Sequence, residues 1–526
     1  MKSIYIVIPI FIIFLTIISS SWAQYPNIRI DGPQSNKPEE VSITVNPVNP
    51  NILAAGANIN HFYSSTDGGL TWSEKLMSSS FGVWGDPCVL FDKVGNIFYA
   101  HLSNPATGYF IDRIVIQKST DYGTTWNDGS GVGLMYPKQQ DKEWLAVDYT
   151  QSPFTGNVYV TWTEFDEYGS YDPNDSSRIK FSKSTDRGEN WSNAITISDV
   201  SGDCIDGGNT TEGAVPCVGP NGEVYVSWAG PVGLVFDKST DGGVTWGTDI
   251  FVSDIPGGWA FNVPGIMRCN GLPITMSDVG PSQFHGNIYI CWGDQRNGVN
   301  DTDVFFSRST DGGETWTPAF RVNNDNTTRH QFFPWMTVDQ STGNIWGVFY
   351  DRRNTTGVAT DVYVVKSTDG GDTFKNFKIS ESSFVPTNTV FFGDYNNIAA
   401  YNGTIYPIWT RLHAGQLSIW NSIITDSSTV IVDDEISLLL TYSLFQNYPN
   451  PFNPSTTISY QLPEETFVTV KVFDILGNEI TILVQEDKPT GVHEVTFDGS
   501  DLSSGIYLYQ IDAGSFHLSR KMMLVK

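Results

Sequence analysis

The sequence predicts an all-β protein: a β-propeller of four-stranded blades, seven preferred over six, followed by a small C-terminal β-sandwich. Three observations predict it. An octapeptide of the form Ser-Thr-Asp-x-Gly-x-Thr-Trp recurs at a spacing of about 60 residues. A strand resembling Gly-Asn-Ile-Tyr precedes each recurrence, as in Gly156-Asn157-Val158-Tyr159 and Gly286-Asn287-Ile288-Tyr289. The 49 glycines and 13% aromatics suit tight turns between half-buried strands.

The octapeptide occupies residues 65–72, 119–126, 184–191, 239–246 and 309–316, with a sixth copy at 367–374 that ends in Phe374. Its physics is that of a hairpin turn. Asp accepts bonds from N–H groups of its own turn, and Gly supplies positive φ. The closing aromatic is expected to pack between neighbouring sheets. Asp67, Asp121, Asp186, Asp241, Asp311 and Asp369 are therefore read as scaffold, since one turn device used six times is not one site.

Met1-Lys2-Ser3, the apolar run over 4–18 and Ser21-Trp22-Ala23 predict a signal peptide over 1–23, a retained anchor being the rival reading. No later stretch is apolar enough to span a bilayer. The propeller is expected over 24–425. Each unit reads strand A, turn, strand B, loop, strand C, octapeptide, strand D, as in residues 335–339 for A and 319–323 for D. Counting B strands gives seven units against six octapeptides. The last unit, about 390–425, lacks D, and Asn27-Ile28-Arg29-Ile30-Asp31 reads like the missing strand. Its insertion would close the ring and remove two sheet edges.

The net charge of -27 argues against nucleic acid and anionic membranes as partners. Five cysteines lack metal-ligand spacing, and their odd number leaves at least one unpaired; buried packing is expected of Cys88 and Cys217, and a Cys204–Cys269 disulfide stays open. No metal or cofactor is expected; the acidic loop Asp172-Pro173-Asn174-Asp175 is the one calcium candidate.

The octapeptide resembles the Asp-box (BNR repeat) of the sialidase superfamily of β-propellers, which implies the fold but not the reaction. A linker is expected over 426–443. Beyond it, Asn447-Tyr448-Pro449-Asn450-Pro451-Phe452-Asn453-Pro454, Phe473-Asp474-Ile475-Leu476-Gly477, Ser504-Gly505-Ile506-Tyr507 and the last six residues resemble the type A C-terminal sorting domain of the type IX secretion system of Bacteroidota. The resemblance covers 445–526, and the domain is expected over 444–526. It implies the secretion machinery as a partner and a secreted or outer-membrane surface location.

Chemistry in such a propeller is expected on the face opposite the Asp-boxes, at the B–C loops and D–A connections. Those segments hold the catalytic candidates Asp86, Glu143, Asp294, Asp351 and Asp394, and the ligand-binding candidates Arg296, Arg352, Arg353 and Arg411. Paired carboxyls serve glycoside hydrolysis, and an arginine fork suits an anionic sugar. The competing reading makes Asp294 and Asp351 braces for arginines two residues on. The sialidase start motif is matched only by Arg29 and Ile30, so the resemblance assigns no catalytic set. A glycan-directed hydrolase, a non-catalytic adhesion propeller and a protein-interaction scaffold all remain open. A deep carboxyl pocket would favour the first, and a shallow mouth with exposed aromatics the second.

Overall fold

The computed structural model describes residues 25–32, 37–413, 415–426, 442–444, 446–447, 449–462, 465–489, 491–514 and 516–526. The expected signal peptide, most of the linker and the motif residue Tyr448 lie outside them. No described helix is long and apolar enough to cross a membrane. The chain divides into two compact units, Met1–Asp426 and Ser427–Lys526.

The described residues of the first unit contain six four-stranded antiparallel sheets in sequence order and a seventh in its cyclic equivalent, to which the two-residue strand Ile424–Thr425 adds a fifth. Their first strands are Ser42–Val45, Cys88–Phe91, Gln139–Val147, Glu212–Val218, Ile274–Ser277, Gln331–Asp339 and Asn397–Tyr401. These neighbour one another in that order, and the last returns to the first. They line a central channel of about 540 Å³. The second strands lie between neighbouring sheets, which is why Val158–Phe165 is buried at every position and its sequence is apolar on both faces. The seventh sheet takes its fourth strand from the N terminus: Asn27–Arg29 pairs antiparallel with Gln416–Ser422, with Ile28 opposite Asn421.

Each Asp-box closes the turn from third to fourth strand. In the first, Asp67 Oδ1 accepts from the Ser65 hydroxyl (2.8 Å) and the Thr71 N–H (2.9 Å), and Oδ2 from the Thr71 hydroxyl (2.6 Å). Asn190 replaces that threonine in the third box and donates its amide to Asp186 at 2.7 Å instead. The glycine two residues after the Asp of each box lies against a ring of the preceding sheet. A Cβ on Gly123 would sit 2.3 Å from Phe62, on Gly243 2.3 Å from Phe181 and on Gly313 2.3 Å from Phe236. The box aromatic covers the same ring, with Trp126 4.9 Å from Phe62 and Trp246 4.9 Å from Phe181. The repeat is thus both a turn and a rivet between sheets.

Thr315 donates its hydroxyl and its N–H to Asp311, which holds that carboxyl down at about 2. Replacing Asp311 by Ala removes these accepted bonds from a largely exposed turn. We expect a loss of about 1–2 kcal/mol, read as a lower urea midpoint with an unchanged m-value.

A second repeated feature lies near the start of six of the seven first strands, the fifth sheet being the exception. Glu40 (φ 53°), Asp86 (52°), Lys142 (54°), Gly213 (80°), Phe333 (51°) and Gly393 (83°) are left-handed there. In three sheets the pairing slips at this point, between Asp141 and Trp144, Glu212 and Val215, and Phe332 and Trp335. Such a bulge re-aims the following side chains. Two residues after the turn, Trp144, Trp335 and Tyr395 meet at the channel neck. Trp144 and Trp335 lie 4.4 Å apart, and Tyr395 stands 5.6 and 5.8 Å from them.

The second unit is a sandwich. One sheet holds Ser443–Leu444, Ser455–Leu462 and Gly491–Asp498; the other runs Glu479–Lys488, Thr466–Phe473, Gly505–Ala513, Phe516–Leu524. Alternate residues such as Ile458, Tyr460, Val470 and Ile511 form its core. Asn447 of the Pro-rich motif accepts no strand role. Its N–H donates to the Tyr509 hydroxyl at 2.8 Å and its amide to Thr456 at 2.9 Å.

Candidate functional site

The antiparallel order of each sheet puts its Asp-box turn at one end of the channel and the start of its first strand at the other. At that second mouth lies a cavity of about 40 Å³, lined by Asp86, Lys142, Glu143, Asn270, Asp394 and Tyr395 above Trp144 and Trp335. Three of the five carboxylates expected from sequence, Asp86, Glu143 and Asp394, are brought together here from the second, third and seventh sheets.

The centre of the cluster is Lys142. Its ammonium bonds Asp394, stands 3.7 Å from Glu40 and 3.8 Å from Asp86, and lies 5.6 Å from the centre of the Tyr395 ring. Burial works against that charge, but Asp394, Asp86 and Glu40 outweigh it and hold the lysine well above its usual range. A short ribbon of Ala260–Phe261 and Cys269–Asn270 carries Arg268 to the same place. Arg268 bonds Asp394 and, at 2.7 Å, Asp206; Asn270 donates to the Asp394 carbonyl at 3.0 Å. Asn58 completes the frame, donating to Glu40 and accepting the Asp86 N–H at 2.7 Å.

The carboxyls around this frame split into two kinds. Burial alone would neutralise Asp394, but Lys142 and Arg268 hold it well below the carboxylate range. Glu143 is 1% exposed, and neither of its carboxyl oxygens has a hydrogen-bond partner. Burial, with Asp86 and Asp141 beside it, pushes Glu143 well above the usual range. Glu40, Asp141 and Glu212 are raised for the same first reason, and Glu39 reaches about 8. A protonated acid beside an ionised one is the arrangement that general acid–base chemistry uses.

Asp294 and Asp351 lie elsewhere. Asp294 holds Arg296 and accepts from Trp292 at 2.9 Å; Asp351 holds Arg353 at 2.7 Å and is raised by its own burial. Arg353 also donates to Asn324 and Asn376 at 2.7 and 2.9 Å. None of the four candidate arginines lines the cavity. Arg352 is 1% exposed, donates to Thr360 and to the Pro264 carbonyl, and keeps one nitrogen without a partner. Burial lowers it to about 10. Arg411 donates to Ser382 at 3.1 Å and lies 5.1 Å from the Trp420 ring. His330 is lowered to about 4 by burial and by Arg352 and Arg329.

Sequence reasoning missed Glu40, Glu212 and Arg268. An acidic residue at or just before the start of a first strand was the available signal for the first two. In the acidic loop, Asp172 accepts from Asn174, and Asp175 from Ser170. Among the described residues no group of three or more metal-ligating side chains is assembled. All five cysteines are free.

Among solved structures, a Hadza microbial sialidase is similar at 14% identity and a TM-score of 0.41, covering 72% of this chain and 74% of its own. A protein of unknown function from Dyadobacter fermentans has 13% identity and a TM-score of 0.44, covering 77% and 99%. An α-L-arabinanase from Penicillium chrysogenum has 12% identity and a TM-score of 0.41, also covering 77% and 99%. No curated protein matches the sequence. Residues 446–526 match the family described as the secretion system C-terminal sorting domain, and this protein is an all-β propeller chain whose tail directs type IX export to the cell surface or the medium.

Proposed function

We propose that the protein is an exported glycan-binding propeller that holds a saccharide on the rim of this mouth. The supporting observation is an exposed aromatic platform on that rim. Trp84 is 41% exposed, Phe110 43%, Tyr109 53% and Tyr136 64%. Trp84 stands in the connection into the second sheet, Tyr109 and Phe110 in that sheet's B–C loop, and Tyr136 in the next connection. Trp84 meets Phe110 edge-on at 5.5 Å, and Tyr109 lies 4.4 Å from Tyr136. The Trp84 N–H donates to the Leu102 carbonyl at 3.0 Å, which fixes the platform to a strand end. Pre-positioned exposed rings with a polar rim mark binding surfaces, and their flat faces suit the C–H faces of sugars.

The cavity of about 40 Å³ is smaller than a sugar ring, which favours binding over cleavage. Hydrolysis is the second reading, favoured by neutral Glu143 and ionised Asp394 lining one cavity with Asp86. Calorimetry with neutral oligosaccharides tests the first. Trp84→Ala with Phe110→Ala is expected to weaken binding roughly tenfold or more, with melting temperature unchanged. Wild-type affinity in that double variant would reject the platform. Turnover of a fluorogenic glycoside by wild type would move the reading to hydrolysis.

A further inference from the structure

We infer that the mouth cavity receives a primary ammonium group, so that the saccharide it selects carries free amino groups. This rests on the glycan reading above and names its ligand class. Three observations carry it. First, the cavity is lined by three acids, Asp86, Glu143 and Asp394, and one base, Lys142. Lys142 and Arg268 are committed to Asp394, and Arg268 also to Asp206, so Glu143 is left without a cation. Second, both Glu143 oxygens and the Tyr395 hydroxyl lack a hydrogen-bond partner, although all are shut from solvent. Buried polar atoms in that state cost stability and mark a place where a polar group is expected. Third, about 40 Å³ is room for a group the size of a water molecule, which an ammonium is.

The protein already displays such an ammonium. Lys142 Nζ lies among carboxylates and against the Tyr395 ring, a cation–π placement. A second ammonium at Glu143 would have a carboxyl, the Tyr395 hydroxyl and the rings of Trp144 and Trp335 around it. The sugar ring itself would stay outside, towards the aromatic platform. Glu143 is faced by Asp86, Asp141 and Lys142, with Cys88, Tyr99 and Tyr395 nearby. In that setting its carboxyl holds its proton, and an incoming ammonium displaces it. Binding of an amino sugar should therefore release a proton that binding of the N-acetylated sugar does not.

The experiment is titration calorimetry of the full exported chain with glucosamine tetramer and with its fully N-acetylated counterpart, in two buffers of different ionisation enthalpy. The expected result is at least tenfold tighter binding of the free amine, with proton release near one per site. In Glu143→Gln, and in Tyr395→Phe, which removes only an unpartnered hydroxyl, the ratio of the two affinities should fall towards one. Equal wild-type affinities, or a preference retained in both variants, would overturn the ammonium site while leaving the glycan reading standing. Failure of a folded wild type to bind either oligomer would overturn the ammonium site, and failure to bind the neutral oligosaccharides as well would sink the glycan reading with it.

Discussion

The chain lacking residues 25–32 is expected to melt roughly 6 °C below the full-length protein, in a single transition for the whole propeller. The reason is the amount held by so short a strand. Asn27–Arg29 pairs with the outer strand of the seventh sheet, and the Ile30 N–H continues the ladder to the Ile419 carbonyl at 2.9 Å. Asp31 accepts the Ile419 N–H at 2.7 Å. Asn27 reaches the sixth sheet's outer strand, donating to the Ile379 carbonyl at 2.8 Å and exchanging bonds with Glu381. Ile30 is 4% exposed, in a cluster with Val41, Ile43 and Leu53 of the first sheet and Ile408 and Ile419 of the seventh. A few backbone bonds at about 1 kcal/mol each and one buried Ile at about 2 kcal/mol sum to roughly 5 kcal/mol. The deletion also uncovers a sheet edge and the seam where the ring closes, which is why the loss should spread. An unchanged melting temperature would show that the seam closes without this strand. A peptide of residues 25–32 added in excess should recover part of the loss.

Stability should also fall as pH rises from 5 to 8.5, the reverse of the usual acidic-protein expectation. Glu39 is raised to about 8, Asp237 to about 7 and Asp249 to about 6, in each case first by burial. Glu40, Asp141, Glu143 and Glu212 are raised well above their ordinary values, again first by burial. A carboxyl with a raised folded value binds its proton more tightly when folded. Its favourable contribution is present at low pH and lost as pH climbs from the unfolded value through the folded one. For Glu39 alone, at about 1.4 kcal/mol per unit, the limit is roughly 5 kcal/mol, and the groups together should cost several. The depressed carboxyls act in the opposite direction but lower down: Asp186 and Asp311, at about 2, lose their contribution only in strong acid. The optimum should therefore lie near pH 5. Thermal melts across pH 4–9 measure it, and Glu212→Gln should flatten the alkaline limb. A melting temperature that is level or rising between pH 5 and 8 would contradict the buried-carboxyl account.

Much of the fold can be read in the chain because the repeat carries its reasons locally. Ser, Asp, Gly and Thr of each box bond within eight residues, so spacing alone reveals the turn. The closing strand could be matched by its likeness to residues 319–323. The left-handed turn at six of the seven first strands could not, since Glu40, Asp86, Lys142, Gly213, Phe333 and Gly393 share a backbone state and no common side chain. The site was half legible. Asp86, Glu143 and Asp394 stood out by position, but the cage forms only when Lys142 meets residues 102 positions before it and 252 after it, such as Glu40 and Asp394. The arginine pairing has a local signal: Arg296 and Arg353 each follow by two residues the aspartate that holds them.

The glycine-on-ring rivets have a direction. Gly123 of the second sheet rests on Phe62 of the first, Gly188 of the third on Phe98 of the second, and the series runs through Gly243, Gly313 and Gly371 on Phe181, Phe236 and Phe306. Each ring is made before the glycine that docks on it. A chain emerging N-terminus first can therefore seat every new sheet on one already present. Only Gly69 of the first box must wait, because the ring beside it is Tyr406 of the seventh sheet, 3.5 Å away. That last contact and the N-terminal strand mature at the same seam. Both contacts need the seventh sheet, so the two ends of the propeller are held at one place in the ring.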